Sequence, residues 1–66
     1  MRIKLAQRWI DLLTREPESG MGYQRVDVRF ADGRELKDAI VFNAEDLEVP
    51  EGFANTDIEH VRLHAG

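Results

Sequence analysis

Tyr23-Gln24-Arg25-Val26-Asp27-Val28-Arg29-Phe30, continuing through Ala31-Asp32-Gly33-Arg34 into Glu35-Leu36-Lys37, is the stretch that decides the fold. Val26, Val28 and Phe30 point to one side while Arg25, Asp27 and Arg29 point to the other. That period of two is the pattern of a strand with one buried face. Ala31, Asp32 and Gly33 then make a turn whose length follows from side-chain chemistry, because directly opposed residues of an antiparallel pair share a face. A loop of Asp32 and Gly33 alone would set Phe30 against Glu35 and Val28 against Lys37, apolar against charged. A three-residue loop with Gly33 left-handed sets Val28 against Leu36, Arg29 against Glu35 and Asp27 against Lys37, so core and charges agree. Asp38 then falls opposite Val26, which predicts a bend or bulge at that point.

Working outward, the second strand is expected from Glu35 to Phe42, with Ala39 to Phe42 apolar on both faces as in a covered or curling sheet. A four-residue loop, Asn43 to Asp46, would oppose Phe42 to Leu47 and Ile40 to Val49, and Pro50 and Gly52 would end this third strand. Thr56 to Glu59 has the spacing of a capping box, predicting one helical turn before a last strand from His60 to His64 with Val61 and Leu63 inward.

On the N-terminal side, Ile3, Leu5, Ala6, Trp9, Ile10, Leu12 and Leu13 fill an apolar arc of about 180° on a helical wheel. Lys4, Gln7, Arg8, Asp11, Thr14 and Arg15 fill the other side. Pro17 disfavours helical geometry in the residue before it, so the helix should stop near Arg15. The chain thus reads as one small domain: a helix over 1–16, a loop over 17–22 and a β-rich part over 23–66.

A chain of 66 residues leaves no room for a separate catalytic lobe. With hydrophobic residues at 42% and charged residues at 33%, a globular fold is expected rather than collagen, disorder or coiled coil. Such a chain should expose roughly 4,300 Å² when folded and bury about 4,000 Å² of apolar surface. That burial contributes about 100 kcal/mol at about 25 cal/mol per Å², and ordering at about 1.5 kcal/mol per residue offsets nearly all of it. There is no cysteine to constrain the unfolded chain, so self-association would help.

The net charge of −4 is unevenly spread. Residues 1–15 carry Arg2, Lys4, Arg8 and Arg15 against Asp11 alone, whereas the remainder holds five cations and twelve carboxylates. An acidic body repels phosphates, leaving the N-terminal segment as the one basic surface. No apolar run approaches a membrane span and no signal-peptide pattern opens the chain, so a cytoplasmic location is expected.

Among residues able to carry chemistry, Ser19 has no neighbouring base or glycine elbow, and there is no cysteine nucleophile. His60 and His64 would sit about 13 Å apart along an extended strand, too far to chelate one ion. No enzyme activity, metal, cofactor or small-molecule substrate is therefore expected. Trp9 reads as the anchor of a small core, with a ligand platform as the alternative. Lys4, Arg8 and Arg34 are the candidate anion or RNA contacts, set against an ordinary solvated charged face. Met21, between Gly20 and Gly22, and Tyr23 are large groups where the pattern predicts exposure. Either they fold back under the helix end, or they form a contact patch for a partner chain or a second copy.

The segment Pro17-Glu18-Ser19-Gly20-Met21-Gly22-Tyr23-Gln24, a strand and Asp32-Gly33-Arg34 resembles a group of small bacterial proteins of uncharacterised function. A fainter likeness joins the N-terminal helix, Val26, Val28, Phe30, Gly33, Arg34, Leu36, Ile40 and Phe42-Asn43 to the Sm-like RNA-binding fold. Ala39 stands where that family has glycine, and the closing strand lacks its Arg-Gly pair. The expected fold is α+β: an N-terminal amphipathic helix packed on a four-stranded antiparallel sheet or small SH3-like or Sm-like barrel. The expected function is a non-enzymatic, self-associating or protein-binding module, with Sm-like RNA binding as the alternative.

Overall fold

The hairpin forms in the register that charge and apolarity require: Val28 pairs with Leu36 and Arg29 with Glu35 across a turn in which Gly33 has φ +94°. The computed structural model describes residues 1–17, 20–53 and 55–65. Its elements are β1 (Arg2–Lys4), α1 (Gln7–Thr14), β2 (Tyr23–Phe30), β3 (Glu35–Phe42), β4 (Asp46–Glu48), a 3-10 turn (Glu51–Phe53) and β5 (Ile58–Leu63). All pairings are antiparallel, in the spatial order β1-β4-β3-β2-β5, so β1 and β5 lie at the two ends of a curled half-barrel. Val26, Val28, Phe30, Val41, Leu47 and Val61 from the sheet meet Trp9 and Leu13 of α1 in one core. The exposed surface is 4302 Å², close to the expectation for this length.

The fold is α+β as read, but the sheet has five strands rather than four and the helix is shorter at its start. Residues 2–4 are strand. Arg2-Ile3-Lys4 lies against Asp46-Leu47-Glu48, pairing Arg2 with Glu48, Ile3 with Leu47 and Lys4 with Asp46. Opposite charges flank a central apolar pair, which stabilises the ladder and covers an otherwise open edge of β4. Ala6 takes extended geometry and α1 begins at Gln7; its end, at Thr14 with Arg15 as the cap residue, is where Pro17 placed it.

The bulge anticipated opposite Val26 is present. Val26 pairs with Ala39 and Val28 with Leu36, so Asp27 faces both Lys37 and Asp38, and Asp38 takes φ +58°. The expected Asp27 to Lys37 ion pair does not form; Lys37 reaches Glu35 at 3.6 Å, because the bulge turns Asp27 toward other partners. The β3–β4 connection is one residue tighter than expected, with Phe42 opposite Asp46 and Val41 opposite Leu47. Left-handed Asn43 and Ala44 make that turn. This register buries Val41 with Leu47 and leaves Phe42 half-buried on the other face, where the Arg2 guanidinium lies 4.0 Å from its ring centre. The helical turn expected at Thr56 to Glu59 is absent. A 3-10 turn forms earlier, over Glu51–Phe53, the strand has begun by Ile58, and Thr56 Oγ1 instead accepts a hydrogen bond from Arg34.

Candidate functional site

At the start of β2 the chain makes a tight turn whose tip is Met21. Gly20 donates its N–H to the Tyr23 carbonyl at 3.3 Å, Gly22 takes φ +79°, and the Asn43 N–H donates to the Gly22 carbonyl at 2.8 Å. The Tyr23 ring covers Gly20 so closely that a Cβ there would lie 2.2 Å from a ring carbon, so any side chain at this position must displace the ring. Tyr23 is half-buried, whereas Met21 is 100% exposed. Of the two outcomes left open by the sequence, Met21 therefore does not fold back under the helix, and a backbone bonded on two sides displays it. Glu18 and Ser19 lie outside the described residues.

Beneath this turn, Gln24 is 2% exposed and ties it to the helix. Its Nε2 donates to the carbonyls of Leu13 (2.9 Å), Glu16 (3.2 Å) and Pro17 (3.3 Å), satisfying the C-terminal end of α1. The Oε1 of the same amide is buried without a partner among the described residues. Sequence reasoning placed Gln24 only as a strand residue. The available signal was its parity with Val26, Val28 and Phe30, which sets a polar side chain on the core face.

Asp27 was missed for the converse reason: on the charged face, yet 9% exposed. One carboxylate oxygen accepts from the Asp38 N–H at 2.9 Å and from His64 Nδ1 at 2.8 Å, and the other lies 3.6 Å from Arg62 Nε. These donors hold its pKa below the ordinary value of 3.8, the backbone N–H of Asp38 foremost and His64 next. Asp38 itself is held low by the Arg25 guanidinium, which it pairs side by side. Asp27 thereby joins β2, the bulge in β3 and the end of β5.

Of the three candidate phosphate contacts, two line one groove and the third bonds a residue of that groove, Thr56. Lys4 and Arg8 line a groove with Trp9, Thr56 and Asp57, while Arg34 is not part of that lining. Lys4 Nζ lies 3.6 Å from Glu45, and the Arg8 guanidinium sits 4.6 Å from the Trp9 ring centre. Arg34 staples Gly52, Phe53 and Thr56 to the hairpin turn. It reaches Asp32 at 2.6 Å, the Gly52 carbonyl at 3.0 Å and Thr56 Oγ1 at 2.8 Å, above the Phe53 ring at 4.1 Å. Trp9 is buried, with His60 edge-on at 5.7 Å, so its ring anchors the core. Among the described residues, no group of three His, Cys, Asp or Glu could hold a metal ion. Among them, too, no helix is long and apolar enough to cross a membrane. Compared with known proteins, the chain matches no family model, no curated protein and no solved structure.

Proposed function

We propose that this chain is a non-enzymatic cytoplasmic module that associates with a second copy of itself through the end of the molecule bearing Met21 and Tyr23. The observation that carries the reading is Met21, fully exposed on a turn held by backbone hydrogen bonds at Gly20 and Gly22. Methionine is flexible and polarizable, suited to filling a partner's irregular surface, and holding the turn in place lowers the ordering cost of binding. Among the described residues β5 is the last strand of the sheet and pairs only with β2, which leaves one edge for a further strand. Within this reading the curled sheet with its helix is a small barrel of the SH3-like or Sm-like kind. Sedimentation equilibrium tests the proposal. A reversible, concentration-dependent dimer that Met21→Glu weakens by at least about tenfold supports it, that factor being about 1.4 kcal/mol. A strict monomer at millimolar concentration, or a dimer indifferent to Met21→Glu, rejects it.

The Sm-like RNA alternative is favoured by one observation, that Lys4 and Arg8 flank the same groove. It predicts binding of single-stranded RNA at low salt that weakens steeply as salt is added. Absence of binding at low salt removes it.

A further inference from the structure

Residues of β1, the start of α1 and the 55–58 stretch together line an open groove of about 560 Å³, in the size range of small-ligand sites. Its polar members are two cations, Lys4 and Arg8, with Asn55, the Thr56 hydroxyl and the Asp57 carboxylate. We propose that this groove binds the terminal phosphate of a small phosphate monoester. The Met21 turn contributes nothing to the lining, so the site does not depend on self-association.

The two cations are available to an anion. The Arg8 guanidinium lies 4.6 Å from the Trp9 ring centre. Stacking occupies the flat face of the group and leaves its in-plane N–H donors for an oxyanion. Among the described residues no carboxylate lies within ion-pair distance of Arg8. The Lys4 side chain is 71% exposed and touches Glu45 only at 3.6 Å, so a doubly charged phosphate competes well for its ammonium.

Thr56 is the fixed member. Its Oγ1 accepts a hydrogen bond from Arg34 at 2.8 Å, and Arg34 is itself held by Asp32 at 2.6 Å and by the Gly52 carbonyl at 3.0 Å. A hydroxyl that accepts one bond keeps its own hydrogen to donate. A cationic donor on its oxygen polarises that hydrogen toward the next acceptor. Lys4, Arg8 and Arg34 therefore serve one place, two from the lining and one through the hydroxyl of Thr56.

Asp57 and the acidic body favour a small ligand over a polynucleotide. The groove sets two cations against one carboxylate, whereas residues 16–66 carry five cations and twelve carboxylates. A nucleic-acid strand meets that surface along its length and is repelled. A monoester places about two negative charges on a single phosphate, which the groove alone can meet.

Titration of the ¹⁵N-labelled protein with glycerol 3-phosphate at constant ionic strength, followed by the backbone amide resonances, tests the proposal. Saturable shifts are expected at Arg8 and Thr56. Arg8→Gln should weaken binding by at least about tenfold, the loss of a hydrogen bond between charged groups. Asp57→Asn, at an exposed position, should tighten it by about threefold by removing a like charge. Arg15→Gln, an exposed cation at the other end of α1 and outside the lining, should change little. Circular dichroism of each variant beforehand establishes that it is folded. The absence of saturable shifts overturns the inference, as does an Arg15→Gln loss equal to that of Arg8→Gln, or an Asp57→Asn variant that binds no tighter. Single-stranded RNA without a terminal phosphate, if it binds the groove more tightly than the monoester does, also overturns it in favour of the RNA reading.

Discussion

Asp27→Ala removes an acceptor that two elements share. The lost bonds are those from the Asp38 N–H at 2.9 Å and His64 Nδ1 at 2.8 Å. Hydrogen bonds to a charged group contribute about 1.5–3 kcal/mol each. His64 lies near the surface and regains water, so its share falls at the low end. Releasing Asp38 from φ +58°, a conformation that costs about 1–2 kcal/mol, offsets part of that loss. A loss of about 3 kcal/mol is expected, against a total of roughly 3–10 kcal/mol for a domain of this length. By thermal melting at neutral pH the midpoint should fall by about 12–24 °C. The sign of the pH dependence is also fixed. The folded pKa of Asp27 lies below its ordinary value of 3.8, so its contribution is complete above that value and is lost as pH falls through the lower, folded one. Asp27→Asn should therefore be less stable at neutral pH and lose less on acidification. Some acid sensitivity should remain, because Asp32 and Asp38 are held low as well, by the Arg34 N–H and by Arg25 respectively. A loss under about 1 kcal/mol for Asp27→Ala, or parallel acid profiles for the parent and Asp27→Asn, would refute the claim that this carboxylate locks the bulge.

Gly33→Val should cost more than about 1 kcal/mol by urea denaturation, and the cause is backbone, since a Cβ there would meet nothing within 4 Å at φ +94°. Gln24→Glu should destabilise more than Gln24→Leu, because it turns a carboxylate toward the carbonyls of Leu13, Glu16 and Pro17. The folded pKa of that new group is raised, so its penalty should vanish in acid and grow as pH rises above about 4.3, the unfolded value; a pH-independent loss would contradict this geometry. Arg34→Lys should cost about 1–2 kcal/mol by thermal melting, since an ammonium cannot span Asp32, Gly52 and Thr56 together or stack on Phe53; an unchanged midpoint would mean that Arg34 does not staple the segment.

The hairpin was legible because each register made a different chemical pairing, and only one put Val28 on Leu36 and Arg29 on Glu35. Residues 1–6 misled because three alternating residues fit a helical arc as well as a strand. The discriminating signal lay 42 residues away, in Asp46-Leu47-Glu48 mirroring Arg2-Ile3-Lys4, and a local period cannot reveal it. The β3–β4 turn was misjudged by one residue because Phe42, the largest apolar group there, sits half-buried under Arg2 while smaller Val41 takes the core. Met21 was legible as an anomaly, a large apolar group between glycines, but its exposure follows from a turn whose bonds to Tyr23 and Asn43 a local pattern does not show. The core-facing parity of Gln24 was visible, yet its capping of α1 needs the tertiary fold.

Nuclear magnetic resonance on a mixed sample tests the central claim most directly: one population ¹³C-labelled at the methionine methyls, the other unlabelled, with isotope-filtered transfer between them. Self-association through Met21 predicts that its methyl resonance shifts with concentration and shows transfer to protons of the other copy. A Met21 methyl that keeps its shift from micromolar to millimolar concentration and shows no intermolecular transfer would contradict the account.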